Sequence, residues 1–259
     1  MTDQELIEFY PTIDTLPLNS TQTVTCEILR AVAAGELRDD LLLIGKNGSG
    51  KTTLARLLPM WFYHSIGEPY WYPNFIDAIS QFKPATVRYQ LQFWSWRRCD
   101  FDWTILDEVD KTTASNINEL HSLLGVFGGK GFILTANTLE KLPEGIESRC
   151  RTLLIHAPLP IDYLPYAQRQ LRDQGKNVPD DQVLAVLQAA VKFRQDLRLM
   201  QRAIVDLARQ PQCKPPRQSL TKARNVASRI LEGDRRSRVI SSVADSLAQV
   251  RTALSTSVS

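Results

Sequence analysis

Short, continuous apolar runs alternate over the first 157 residues with segments whose apolar positions recur every three or four. Leu41 to Ile44, Thr104 to Leu106, Phe132 to Thr135 and Leu153 to Ile155 have the look of central strands covered on both faces. Between the second and third, Ile117, Leu120 and Leu124 share one helical face and supply the crossover that parallel strands need. The pattern predicts an α/β fold over residues 1–157: a three-layer α/β/α domain on a parallel sheet. Pro158 and Pro160 end the alternation. Beyond them, the stripes Val183, Val186, Leu187, Ala190 and Leu197, Met200, Ile204, Leu207 predict a small helical domain over 158–209. The Pro- and Gln-rich segment 210–218 reads as a linker, and Val243, Leu247, Val250 and Leu254 mark one helix face in a short tail, 219–259.

One window reads differently. Val87, Tyr89, Leu91 and Phe93 alternate with Arg88, Gln90 and Gln92, and a period of two predicts a strand. All five tryptophans, Trp61, Trp71, Trp94, Trp96 and Trp103, fall in this region together with Tyr70, Tyr72 and Phe75. Aromatics interleaved with Arg88, Arg97 and Arg98 suit three roles: stacking on single-stranded nucleic acid, the buried face of an added hairpin, or a protein-docking surface.

Composition narrows the classes. A chain of 259 residues with 43% hydrophobic content can bury a full core, and its formal net charge of +3 announces no global attraction to nucleic acid. Cys26, Cys99, Cys150 and Cys213 are scattered, without metal-ligand spacing, so reduced thiols in a cytoplasmic protein are expected. The acidic N-terminus and the lack of any run of 18 apolar residues argue against secretion and membrane spanning.

The chemistry starts at GKNGSGKT, Gly45 to Thr52, which follows an apolar run and precedes Leu54, Ala55, Leu57 and Leu58. Strand, glycine-rich turn and helix form the context in which this spacing cradles a nucleoside triphosphate. Gly45, Asn47, Gly48, Ser49 and Gly50 would present backbone N–H groups to phosphate, Lys51 would neutralise its charge, and Thr52 would hold Mg²⁺. Where Thr104 to Leu106 runs out, Asp107 and Glu108 stand at the edge where parallel sheets place their ligands. Asp107 suits a metal anchor and Glu108 a base for the attacking water, whereas Asp110 reads as an acidic turn. The strand of GFILTAN ends in Thr135 and Asn137 at the same edge, so a polar group there can touch the γ-phosphate or the water.

The order of GKNGSGKT, LDEVD, LTAN and SRC resembles the AAA+ ATPases of the sliding-clamp-loader group, the replication factor C small subunit and its phage counterparts. The resemblance covers most of residues 5 to 208. It implies ATP and Mg²⁺ as ligands, an AAA+ domain with a helical lid, and hydrolysis at subunit interfaces of a homo- or hetero-oligomer. Arg149 would be the arginine finger acting in trans. Arg198 would be a second sensing arginine reaching the γ-phosphate in cis, with Arg194 and Arg202 as competitors. Tyr10, in FYPTID, would belong to the N-terminal nucleotide-contacting segment. DNA and a sliding clamp or helicase are the implied partners.

The chain also departs from that group. Only about forty residues follow the linker, too few for the usual helical collar. Lys222, Arg224, Arg229, Arg235, Arg236 and Arg238 there form the one basic cluster. Three functions follow: a clamp-loader-like machine, a helicase-loader or transposition-type matchmaker forming a filament on DNA, and a small-molecule P-loop kinase. The SRC segment speaks against the kinase, which needs no arginine presented to a neighbour.

Overall fold

A computed structural model describes residues 2–68, 74–94 and 103–209. The chain divides into two units, 1–210 and 211–259. The linker 210–218, the tail with its basic cluster, and Trp71, Trp96, Arg97, Arg98, Cys99 and Cys213 lie outside the described residues.

Five parallel strands form the sheet, in the order β2-β3-β4-β1-β5: β1 Leu41–Ile44, β2 Asn74–Asp77, β3 Thr104–Asp107, β4 Phe132–Ala136 and β5 Arg151–Leu154. β1 is the most enclosed, with Leu41, Leu42 and Leu43 fully buried, because it lies between β4 and β5 and carries helices on both faces. Alternation along it divides the core. Leu41 and Leu43 join Ile105, Ile133 and Leu153 beneath helices α1 (Asp3–Phe9), α2 (Thr23–Ala33) and α3 (Lys51–Ser65). Leu42 and Ile44 join Leu106 and Leu134 beneath α4 (Pro84–Trp94), α5 (Ala114–Phe127) and α6 (Glu144–Glu147). The expected three layers are therefore present, with β2 as a strand the apolar pattern did not reveal.

The strand expected over residues 87–93 is instead part of α4. Pro84 opens it, where a missing N–H costs nothing. Val87 and Leu91, four apart, are both buried, while Tyr89 between them is 68% exposed. The alternation conceals an i, i+4 pair, and one helical face satisfies it. Trp61 and Trp103 belong to the core, 4% and 0% exposed.

After β5 come α7 (Pro160–Asp173), α8 (Asp180–Ala190) and α9 (Leu197–Arg209), which bury Tyr163, Leu171, Val183, Leu187, Met200 and Ile204 among themselves. No described helix is long and apolar enough to cross a membrane.

Candidate active site

β1 leads from the centre of the sheet into Gly45–Gly50, and α3 begins at Lys51. Gly48 and Gly50 take left-handed φ values of 81° and 94°, open to glycine without strain. Gly45 is needed for another reason: a Cβ there would overlap the carbonyl oxygen of Ile155. The turn lets α3 start abruptly, so the unpaired N–H groups of its first turn bring partial positive charge to the sheet edge.

Lys51 is buried and donates to Gly45 O at 2.6 Å, Lys46 O at 3.1 Å and Asn137 Oδ1 at 3.3 Å. Burial pulls its pKa below the usual lysine value, against the opposing pull of Asp107, Asp110 and Glu108. Its hydrogens go to neutral oxygens, which leaves the ammonium charge for an incoming anion. Beside it Thr52 Oγ1 donates to Asp107 Oδ1 at 2.9 Å, and Thr135 Oγ1 donates to the same oxygen at 2.6 Å.

Thr135 Oγ1 in turn accepts from Glu108 N at 2.9 Å. Glu108 has φ 58° and ψ 45°, and among the described residues it alone has positive φ without being glycine. Such a backbone costs about 1–3 kcal/mol and persists where neighbours impose it, commonly at functional sites. Its carboxylate accepts from Lys111 Nζ at 2.6 Å. Asp110 is 4% exposed: Oδ2 accepts from Asn137 Nδ2 at 3.4 Å, and Oδ1 has no partner.

The third helical group closes on this turn. Leu197 N donates to Gly48 O at 2.9 Å, and Arg194 Nη2 donates to Asn47 O at 3.3 Å. Asp196, buried, accepts from Arg198 N at 2.9 Å and pairs with Arg194 at 3.2 Å. One cavity is lined by Asn47, Gly48, Gly50, Lys51, Thr52, Glu108, Thr135, Asn137, Leu197 and Arg198. Gly45 and Ser49 line an adjoining cavity with His156 and Phe193, and Ser49 Oγ is buried without a partner.

Most residues expected at the site thus meet there, including Asp107 through Thr52. Tyr10 does not. It is 3% exposed, stacked on Tyr166 at 5.6 Å, and its carbonyl accepts from Trp61 Nε1 at 2.9 Å. Its ring lines neither cavity and packs in the core beneath α1. Arg194, a competitor of Arg198, reaches the turn's backbone, while Arg198 faces the cavity. Lys111, Asp110 and Asp196 have no signal beyond their charge: only the fold shows Asp196 buried against the turn and Asp110 buried beside Asn137.

Arg149 lies elsewhere. It precedes β5, whose first residue Arg151 pairs with Leu41, the first of β1, whereas the glycine turn follows Ile44 at the other end. A four-residue strand spans about 13 Å, so Arg149 stands at the opposite edge of the sheet from the Lys51 of its own chain.

The site fits a triphosphate and a hard cation. The turn is a cradle that a Cβ would fill, Lys51 offers uncommitted charge, and Thr52 with Asp107 is an oxygen donor pair. Among the described residues no group of three or more His, Cys, Asp or Glu could hold a metal alone.

No protein-family model matches the chain, and no curated protein matches it. Solved structures do. AMPPCP-bound DnaA from Aquifex aeolicus superposes with a TM-score of 0.53 at 16% identity, over 85% of this chain and 72% of that one. A single-residue variant of RuvB from Thermotoga maritima gives 0.49 at 14% identity, over 76% and 72%. The fold, a five-stranded parallel sheet between helical layers with a strand, glycine turn and helix at its centre, is shared with that DnaA structure.

Proposed function

We propose that this chain is a DNA-associated AAA+ ATPase that hydrolyses ATP between subunits to load or remodel a replication protein. The observation that carries the reading is the separation of Arg149 from its own glycine turn by the length of the sheet, which suits it to a neighbour's nucleotide. The turn and the N-terminus of α3 hold the triphosphate, and Lys51 exchanges carbonyl partners for phosphate oxygens. Thr52 and Asp107 would hold Mg²⁺, which when bound neutralises charge on the β- and γ-phosphates. Glu108 takes the proton of the attacking water, and Asn137, already on Lys51, orients that water. Arg149 from the neighbour meets charge that grows on the transferred phosphoryl group. Arg198, on the lid side of the cavity, links nucleotide state to the angle of α7–α9. That DnaA holds AMPPCP supports an adenine nucleotide as the ligand of this fold.

The test separates binding from turnover. Lys51→Ala loses ATP binding; Arg149→Ala keeps it and loses hydrolysis, an effect of about 10³-fold or more for a finger. A solitary, fully active chain given a nucleoside acceptor would instead indicate a kinase. Imaging with DNA and a slowly hydrolysed ATP analogue distinguishes short closed spirals, expected of a loader, from the long arrays of a filament-forming matchmaker.

A further inference from the structure

Arg149 is exposed, yet its guanidinium is not loose. Nη1 donates to the carbonyl oxygen of Gly145 at 2.6 Å and lies 2.8 Å from Nε2 of His121, a half-buried residue in the middle of α5. An arginine Nη1 carries two hydrogens, and these partners use both, one accepted by the carbonyl and one by a neutral imidazole. The other edge, Nη2 and Nε, keeps three N–H groups in one plane, the fork that grips a phosphate bidentately.

The contact depends on a glycine that the backbone does not demand. Gly145 lies within α6 and is not among the positive-φ residues, yet a Cβ on it would overlap Nε2 of His121. The missing side chain lets the imidazole rest against α6 within reach of Arg149. Gly125, one turn along α5 from His121, lies beside the guanidinium, and a Cβ on it would only touch Arg149 Nε, at 4.0 Å. His121 on α5 and the Gly145 carbonyl on α6 therefore hold one exposed arginine at one angle.

We infer that His121 is the positioning residue for the Arg149 finger: as a neutral acceptor it fixes Nη1, pre-paying the side-chain entropy so that the free edge points outward. This deepens the ATPase reading and rests on it. Misplacing a reacting or stabilising group by about 1 Å can cost 10²-fold in rate, so loss of the acceptor should reach kcat and spare ATP binding.

The experiment compares His121→Ala, His121→Gln, Gly145→Ala and Arg149→Ala in the full-length chain, reading kcat, KM and equilibrium ATP binding. His121→Ala and Gly145→Ala should lower kcat about 10- to 100-fold with ATP affinity within about twofold of the parent. His121→Gln, whose Oε1 restores an acceptor, should recover most of that loss. Folding is checked by mixing His121→Ala with Lys51→Ala chains, whose intact fingers should restore turnover at the His121→Ala nucleotide sites. If Arg149→Ala loses turnover and His121→Ala does not, the inference is overturned and the ATPase reading stands. If glutamine fails to rescue, the imidazole acts otherwise and the inference is likewise overturned. If Arg149→Ala itself keeps full turnover, the trans reading falls first.

Discussion

Replacing Thr135 by valine removes one hydroxyl and almost no volume. Thr135 is 1% exposed, and its hydroxyl joins the two acidic positions: it donates to Asp107 Oδ1 at 2.6 Å and accepts from Glu108 N at 2.9 Å. Valine leaves Glu108 N–H unpaired, and a lost partner for a buried group costs about 1–3 kcal/mol. Asp107 keeps the Thr52 hydroxyl, so its loss is partial. A total near 2 kcal/mol corresponds to about 4–8 °C in Tm for a chain of this size. The same bond helps hold Glu108 at φ 58°, and a left-handed glutamate relaxes once its tether goes. We therefore expect Thr135→Val to lower Tm by that amount in differential scanning calorimetry and kcat by about 10²-fold, with ATP binding kept. Thr135→Ser should stay near the parent in both. Wild-type kcat in Thr135→Val would refute the claim that this hydroxyl aims Glu108.

Further outcomes follow from single contacts. Gly48→Ala must adopt φ 81° with its methyl overlapping the Asp196 carboxylate, so equilibrium titration should show ATP binding lost and calorimetry a cost of about 1–3 kcal/mol. Asp40 accepts from Phe132 N at 2.8 Å, Gly129 N at 2.7 Å and Gly131 N at 3.1 Å, holding the start of β4; Asp40→Ala should cost about 3 kcal/mol or more in urea unfolding. Burial, with Asp40 nearby, pushes the Cys150 thiol from 9.0 up to about 12. Between those values the unfolded chain has lost a proton that the folded chain keeps. The contribution is therefore intact below pH 9 and disappears as pH rises toward 12, and Cys150→Ala should flatten that alkaline fall in Tm.

Much of the candidate site is legible in the chain because its residues sit at fixed spacings next to apolar runs. GKNGSGKT after an apolar run locates Lys51 and Thr52, and strand ends locate Asp107, Glu108 and Asn137. Continuous apolar runs likewise identify β1, β3, β4 and β5. β2 escapes because Asn74 and Asp77 break its run and Phe75 is 38% exposed. α4 reads as a strand because Val87 and Leu91 satisfy a period of two and a spacing of four alike. The packing of Tyr10 is not legible either: its ring stacks on Tyr166 and its carbonyl accepts from Trp61, both far away in the chain. His121 gives no signal, since the partner that matters is 28 residues away and meets it only through α5 and α6.

The most direct test of hydrolysis between chains is complementation by mixing Lys51→Ala with Arg149→Ala. Each alone should be silent, one lacking a nucleotide and the other lacking a finger. Mixed at equal amounts, random head-to-tail assembly should restore about a quarter of the interfaces, and with them a comparable share of the parent rate. A mixture as silent as its components, or an Arg149→Ala chain that needs no help, would contradict the account.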